Sequence, residues 1–117
     1  MRPRLLIVDD HESFRAVARA MMEDDGYDVV GEAADGTDAV TAVRNLRPRI
    51  VLLDIHLPDE DGFAVSKVLA ALPDPPSVIL ISSRPLSDLR QRISDSPVVG
   101  FLSKDELTGR AVAELVG

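Results

Sequence analysis

A three-layer α/β fold, with a five-stranded parallel sheet and five helices, is what this sequence predicts, and three observations predict it. Short apolar runs recur five times along the 117 residues, each followed by apolar positions at helical spacing. No hairpin signal such as Asn-Gly joins one run to the next, so every connection is a crossover and the strands are parallel. Right-handed crossovers then put helices on both faces of the sheet.

The elements follow in order. Leu5-Leu6-Ile7-Val8 is the first strand and ends in Asp9-Asp10. From Glu12 the period changes, and Phe14, Val17, Ala18 and Met21 mark one helix face, stopped by Asp24-Asp25-Gly26. Tyr27 to Ala33 is a more polar strand. Asp35-Gly36 turns the chain, Thr37 or Asp38 is placed to cap, and Ala39, Val40, Val43 and Leu46 mark a helix ending before Pro48. Ile50-Val51-Leu52-Leu53 is a strand buried on both faces, ending in Asp54, and Pro58 with Asp61-Gly62 forces a loop. Phe63, Val65, Val68, Leu69 and Leu72 form the third helix, closed by Pro73, Pro75 and Pro76. Val78-Ile79-Leu80-Ile81 ends in Ser82, and Leu86, Leu89 and Ile93 support only a short helix between Pro85 and Pro97. Val98 to Leu102 is the last strand, and Leu107, Ala111, Val112 and Leu115 the last helix.

For five strands the common doubly wound, flavodoxin-like order is 2-1-3-4-5, which opens a crevice between strands 1 and 3 at their carboxyl ends. Those strands end in Asp9-Asp10 and Asp54, so three carboxylates meet at the one place where such sheets bind ligands.

Composition narrows the function. A chain of this length is one domain, residues 1–117, able to bury a core without staples. It has no Cys, which excludes disulfides and thiolate metal sites and fits a reducing cytoplasm. The apolar run near Met1 is too short for a signal peptide, and no stretch reaches membrane-spanning length. A net charge of −7, from 14 Asp and 6 Glu against 11 Arg and 2 Lys, disfavours direct contact with nucleic acid.

Three crowded carboxylates repel unless a cation lies among them, and hard oxygen donors suit Mg²⁺, with Mn²⁺ the alternative. His56 alone, with no Cys, is weak support for a softer metal. Ser82 and Ser83 offer hydroxyls after strand 4, and Lys104 follows strand 5 on the same edge. An ammonium facing a carboxylate–metal cluster is suited to holding phosphoryl oxygens. Each piece has a plain alternative: adjacent Asp residues serve helix dipoles, a Ser pair makes a turn, and a surface Lys is solvated. Four such placements at the ends of parallel strands outweigh those alternatives.

The constellation closely resembles the receiver domain of two-component response regulators, over the whole chain. The resemblance rests on Asp9-Asp10, Asp54 with Pro58 and Asp61-Gly62, Ser82, Phe101 and Lys104, with 28 residues from Asp54 to Ser82 and 22 from Ser82 to Lys104. It implies that Asp54 is the phosphoacceptor, phosphorylated by a sensor histidine kinase or a small acyl phosphate. Mg²⁺ would be bound by Asp10, Asp54 and the His56 backbone carbonyl, with Asp9 acting mainly through water. Ser82 and Lys104 would hold the phosphoryl group, and Ser82 with Phe101 would switch the face formed by helix 4, strand 5 and helix 5. Such a domain catalyses only its own phosphorylation and dephosphorylation.

The stretches Gly100 to Leu107 and Tyr27 to Ala33 look most like receivers of helix-turn-helix transcription factors. That resemblance implies a transcriptional output through an effector domain absent here, or a protein partner, and homodimerisation on phosphorylation. His56 and Arg84 would sit at the pocket mouth and tune the lifetime of the acyl phosphate; the plain reading is that both are solvated rim residues. Rival readings are a phosphorylation-independent interaction or dimerisation module, which would not need every acid and the lysine, and an aspartyl phosphatase. The phosphatase would want a second Asp where His56 stands. A dinucleotide-binding domain would want a Gly-rich first turn in place of Asp9-Asp10-His11-Glu12.

Overall fold

Every apolar run forms a strand in the computed structural model, which describes residues 2–85, 87 and 89–117. In chain order the elements are β1 (Arg4–Val8), α1 (Glu12–Asp24), β2 (Asp28–Ala33), α2 (Gly36–Leu46), β3 (Ile50–Asp54), α3 (Gly62–Ala70), β4 (Ser77–Ser82), α4 (Arg90–Ser94), β5 (Gly100–Ser103) and α5 (Gly109–Val116). Neighbouring strands are all parallel, in the order β2-β1-β3-β4-β5. This is the doubly wound, flavodoxin-like architecture that the repeated pattern predicts.

Side chains along a strand alternate between faces, and here the alternation builds two cores. Leu6, Val8, Val51, Leu53, Val78 and Leu80 gather with Ala39 and Val43 of α2 and Phe63, Val65 and Leu69 of α3. Leu5, Ile7, Ile50, Leu52, Ile79 and Ile81 gather with Ala18 and Met22 of α1 and Val112 of α5. Because β3 is covered on both faces, all five of its residues are buried, Asp54 included. Each fully buried Leu or Ile contributes roughly 1.5–3 kcal/mol, which holds β1, β3 and β4 as the rigid floor of the crevice.

Several local expectations are corrected. Val17 is 61% exposed; the buried stripe of α1 runs through Ala18 and Met22, because Phe14 and Met21 lie at its edges rather than its centre. Neither Thr37 nor Asp38 caps α2. Asp35 does, its side chain accepting from the Asp38 N–H at 2.7 Å, since the helix already begins at Gly36. Leu72 lies beyond the end of α3 and packs from the loop, and Leu107 is extended just ahead of Thr108, which caps α5. The last strand begins at Gly100 rather than Val98, and β5 extends only where it pairs with Ile79–Ser82. The second strand begins at Asp28, and the Tyr27 hydroxyl donates to the Gly109 carbonyl at 2.8 Å, tying the start of α5 to the α1–β2 loop. Leu89, just ahead of the short α4, and Ile93 within it pack on the core, while Leu86 lies outside the described residues.

Candidate functional site

At the carboxyl edge of the sheet, α1 leaves β1 toward one face while α2 and α3 pack on the other, and the crevice opens between β1 and β3. Asp9 follows β1, and its N–H donates to the Ala33 carbonyl at 3.0 Å, which keeps it in line with the sheet. Asp54 is the last residue of β3. Lys104 begins a single 3-10 turn, Lys104–Glu106, immediately after β5. Three elements distant in sequence thereby deliver three charges to one place.

The geometry is close. The Lys104 Nζ lies 2.6 Å from Asp9 Oδ2 and 3.3 Å from Asp54 Oδ2. Asp9 is 0% and Asp54 2% exposed, so this is a buried two-acid, one-amine cluster. The contact with Asp54 is a hydrogen bond; that with Asp9 is short but lacks hydrogen-bond direction, and Asp9 Oδ2 has no other partner. Asp54 Oδ1 accepts from the His56 N–H at 3.1 Å. Burial pushes the Asp54 carboxyl above its ordinary 3.8 even though that N–H opposes it; Asp9 adds to the rise, and Lys104 opposes it. Burial would lower Lys104, but the close carboxylates of Asp9 and Asp54 outweigh it, and its pKa is raised above 10.5.

The loop after β3 is braced from outside. A Cβ on Gly62 would lie 2.5 Å from the Asp54 carbonyl oxygen, so only glycine lets α3 start against the backbone of the acid. The Gly62 N–H donates to the Ile55 carbonyl at 2.7 Å, and Asp61 caps α3 by accepting from the Ala64 N–H at 2.8 Å. Asp61 also pairs with Arg92 of α4 at 3.0 Å, and these contacts, led by the Ala64 bond, hold its carboxyl below the ordinary range. Asp59 accepts from the N–H groups of Gly36 and Thr37 at 2.8 and 3.0 Å, joining the loop to the start of α2.

The remaining residues singled out in the sequence fall at different distances from this centre. Asp10 stands at the mouth, its side chain 35% exposed. Ser82 is fully buried at the end of β4, and its Oγ accepts from the Arg84 N–H at 3.0 Å. Arg84 and the His56 side chain are exposed at the rim. Phe101 is half-buried against the α2–α3 core.

Three further residues touch the cluster and were not singled out for it. The His11 ring lies 2.9 Å from Asp9 Oδ1 and 3.1 Å from Asp10 Oδ1, so the imidazole beside the acids belongs to His11, not His56. Phe14 places its ring 4.6 Å beneath the Lys104 ammonium, a cation–π contact. Arg15 donates to the Asp9 carbonyl at 2.6 Å and pairs with Glu32. Adjacency to Asp9-Asp10 is a signal for His11; helix periodicity accounts for Phe14, and nothing in the sequence marks Arg15.

One donor atom from each of Asp9, Asp10, His11 and Asp54 lies within 4.8 Å of the others. Three carboxylates against one ammonium leave negative charge in the cluster, and the buried Asp9 Oδ2 accepts no hydrogen bond. The donor set, mainly carboxylate oxygen, fits a hard divalent cation.

Comparison with known proteins bears on the whole chain. The family model described as response regulator receiver domain matches residues 5–115. The transcription regulator BvgA of Bordetella pertussis is 36% identical over 106 residues, covering 91% of this chain and 51% of that protein. The DNA-binding response regulator MtrA of Mycobacterium leprae is 42% identical over 120 residues, covering 98% of this chain and 52% of that protein. The chain thus spans about half the length of these relatives. The solved signal receiver domain of the response regulator NarL from Mycobacterium tuberculosis superposes with a TM-score of 0.83 at 30% identity, covering 99% of this chain and 98% of that one. Some relatives carry other activities on longer chains: a protein-glutamate methylesterase of Anaeromyxobacter dehalogenans matches at 33% identity over 31% of its length. Among the described residues no helix is long and apolar enough to cross a membrane. With one fold, one acidic crevice and one family model spanning nearly every residue, the chain belongs to the response regulator receiver domains.

Proposed function

We propose that Asp54 is the phosphoacceptor of a signalling switch. The observation that carries this reading is a buried carboxylate at the end of β3 held 3.3 Å from the only ammonium in the crevice among the described residues. The Asp54 carboxylate attacks phosphorus in line, and the bond from phosphorus to a sensor kinase's histidine nitrogen, or to the oxygen of an acyl phosphate, breaks with its electron pair leaving on that atom. Lys104 neutralises charge on the phosphoryl oxygens. The Ser82 hydroxyl accepts from Arg84, which leaves its own proton to donate to a phosphoryl oxygen. Asp10, Asp54 and the His56 carbonyl would hold Mg²⁺, with Asp9 acting through water; when bound, the ion supplies charge neutralisation and orients the transferred group.

Phosphorylation adds about one negative charge and three acceptor oxygens. Ser82 is then drawn to the new group, and half-buried Phe101 turns into the space it leaves. That biases the α4–β5–α5 face between two states. Exposed His56 and Arg84 at the rim set how readily water reaches the acyl phosphate. The output is transcriptional, through a DNA-binding domain such as the relatives' names imply, with a sensor histidine kinase upstream and a cytoplasmic location. The domain acts on no substrate but its own aspartate.

Incubation with Mg²⁺ and acetyl phosphate, followed by intact-mass measurement, tests this. The parent should gain one labile phosphoryl group, and Asp54→Asn or chelation of the metal should abolish it. Equal absence in parent and variant would favour a phosphorylation-independent module; turnover of added phosphate esters would favour a phosphatase.

A further inference from the structure

The opposite edge of the sheet carries a cleft lined by arginines. Arg4 opens β1, Arg44 lies in the last turn of α2, and Arg47 and Arg49 flank Pro48 in the α2–β3 loop. Together with Leu72, Pro73, Pro75 and Pro76 after α3, they line a half-open cleft of about 960 Å³. Four of the eleven arginines of a chain with net charge −7 are gathered in this one cleft.

Their partners are few. The described arginine ion pairs involve Arg15, Arg19, Arg92 and Arg110, and none involves these four. Arg4 donates to the Leu46 carbonyl at the end of α2, while Arg44, Arg47 and Arg49 are exposed and make no described side-chain hydrogen bond. The plain reading is that they neutralise the carboxyl ends of α2 and α3. Each helix end carries only about half a negative charge, so two ends and Asp74 offset about two of the four positive charges. About two remain.

Backbone conformation points to the same place. Arg47 (φ 50°) and Asp74 (φ 52°) are the non-glycine residues in the left-handed region among those described, and both line the cleft. Arg47 occupies the helix-ending position where glycine would sit without strain. Here the chain accepts that strain and keeps a guanidinium at the rim.

We propose that this cleft binds a nucleoside diphosphate or triphosphate. Guanidinium forks match phosphate oxygens and stack on planar rings, and the proline and leucine wall offers an apolar face to a base. The volume suits a compact ligand. The overall negative charge opposes a long polyanion far more than a small one bound in the local field of the arginines.

The test is calorimetric titration of the full chain with guanosine 5′-diphosphate and adenosine 5′-diphosphate, in chelator so that the acidic crevice holds no metal. Saturable binding at or below about 1 mM is expected, with one or both nucleotides. It should weaken roughly tenfold in Arg47→Gly, the factor for one charge-assisted contact, and be lost in Arg44→Ala/Arg49→Ala. Asp54→Asn should bind as the parent does, which separates this site from the phosphoacceptor. Because Arg47→Gly relieves strain, its weaker binding cannot be laid to unfolding, and its thermal midpoint should not fall. Absence of saturation, unchanged affinity in the arginine variants, or equal affinity for inorganic pyrophosphate would each overturn the nucleotide assignment.

Discussion

At the carboxyl edge of the sheet, Asp9 and Asp54 are buried and share the Lys104 ammonium. At the amino edge, Arg44, Arg47 and Arg49 stand exposed, outside every described ion pair. The same kind of interaction has opposite weight in the two places. A buried charge that loses its partner keeps its desolvation penalty, whereas an exposed guanidinium is solvated with or without one. Charge at the first edge is therefore coupled to folding, and charge at the second is available for binding at little cost in stability.

The sharpest way to break this comparison is Lys104→Met. With both acids left uncompensated, the metal-free domain should lose about 3 kcal/mol, read from urea unfolding. A loss comparable to that of an exposed arginine variant would show the ammonium to be dispensable for the fold. The pH profile sharpens the same point. Lys104 is raised in the folded state, so its contribution is full below its unfolded pKa and disappears as pH rises through the folded one. Subtracting the Lys104→Met curve from the parent's should isolate a decline above about pH 10.5, separate from that of Tyr27, whose pKa burial also raises.

Asp54→Asn comes next, with the opposite sign. Burial, reinforced by Asp9, raises the Asp54 carboxyl, so the folded state holds that proton more tightly than the unfolded chain. Ionisation of Asp54 then destabilises the domain as pH rises through its folded pKa. Asn, neutral at every pH, should stabilise the metal-free domain near neutrality, on the order of 1 kcal/mol. A destabilised variant would mean that the Lys104 contact outweighs the desolvation. At the other edge, Arg47→Gly should raise stability by about 0.5–1 kcal/mol through relief of its left-handed backbone, seen as a higher thermal midpoint. Arg44→Ala should change stability by less than about 0.5 kcal/mol in either direction.

The parts legible in the sequence share a physical basis. Strands buried on both faces need continuous apolar runs, and β1, β3 and β4 could be named to within a residue. Edge strands pair on one side only and carry polar residues, and β5 begins two residues later than its apolar run predicts. Val17 was misassigned because a helix period does not say which of two adjacent stripes meets the sheet. The α2 cap was misassigned because Asp35, Thr37 and Asp38 all have capping side chains, and only the backbone path selects Asp35.

The amino-acid sequence alone determined the repeating strand–helix order, hence the parallel sheet, and the placement of Asp9, Asp10, Asp54, Ser82 and Lys104 at strand ends on one edge. Such properties follow from local periodicity and from the alternation of a strand, which are written one residue at a time. Tertiary structure alone decided that Lys104 reaches both buried acids, that His11 and Phe14 close around them, and that four arginines from β1, α2 and the loop before β3 line one cleft. These contacts join segments far apart in the chain, and their distances depend on how helices pack across the sheet.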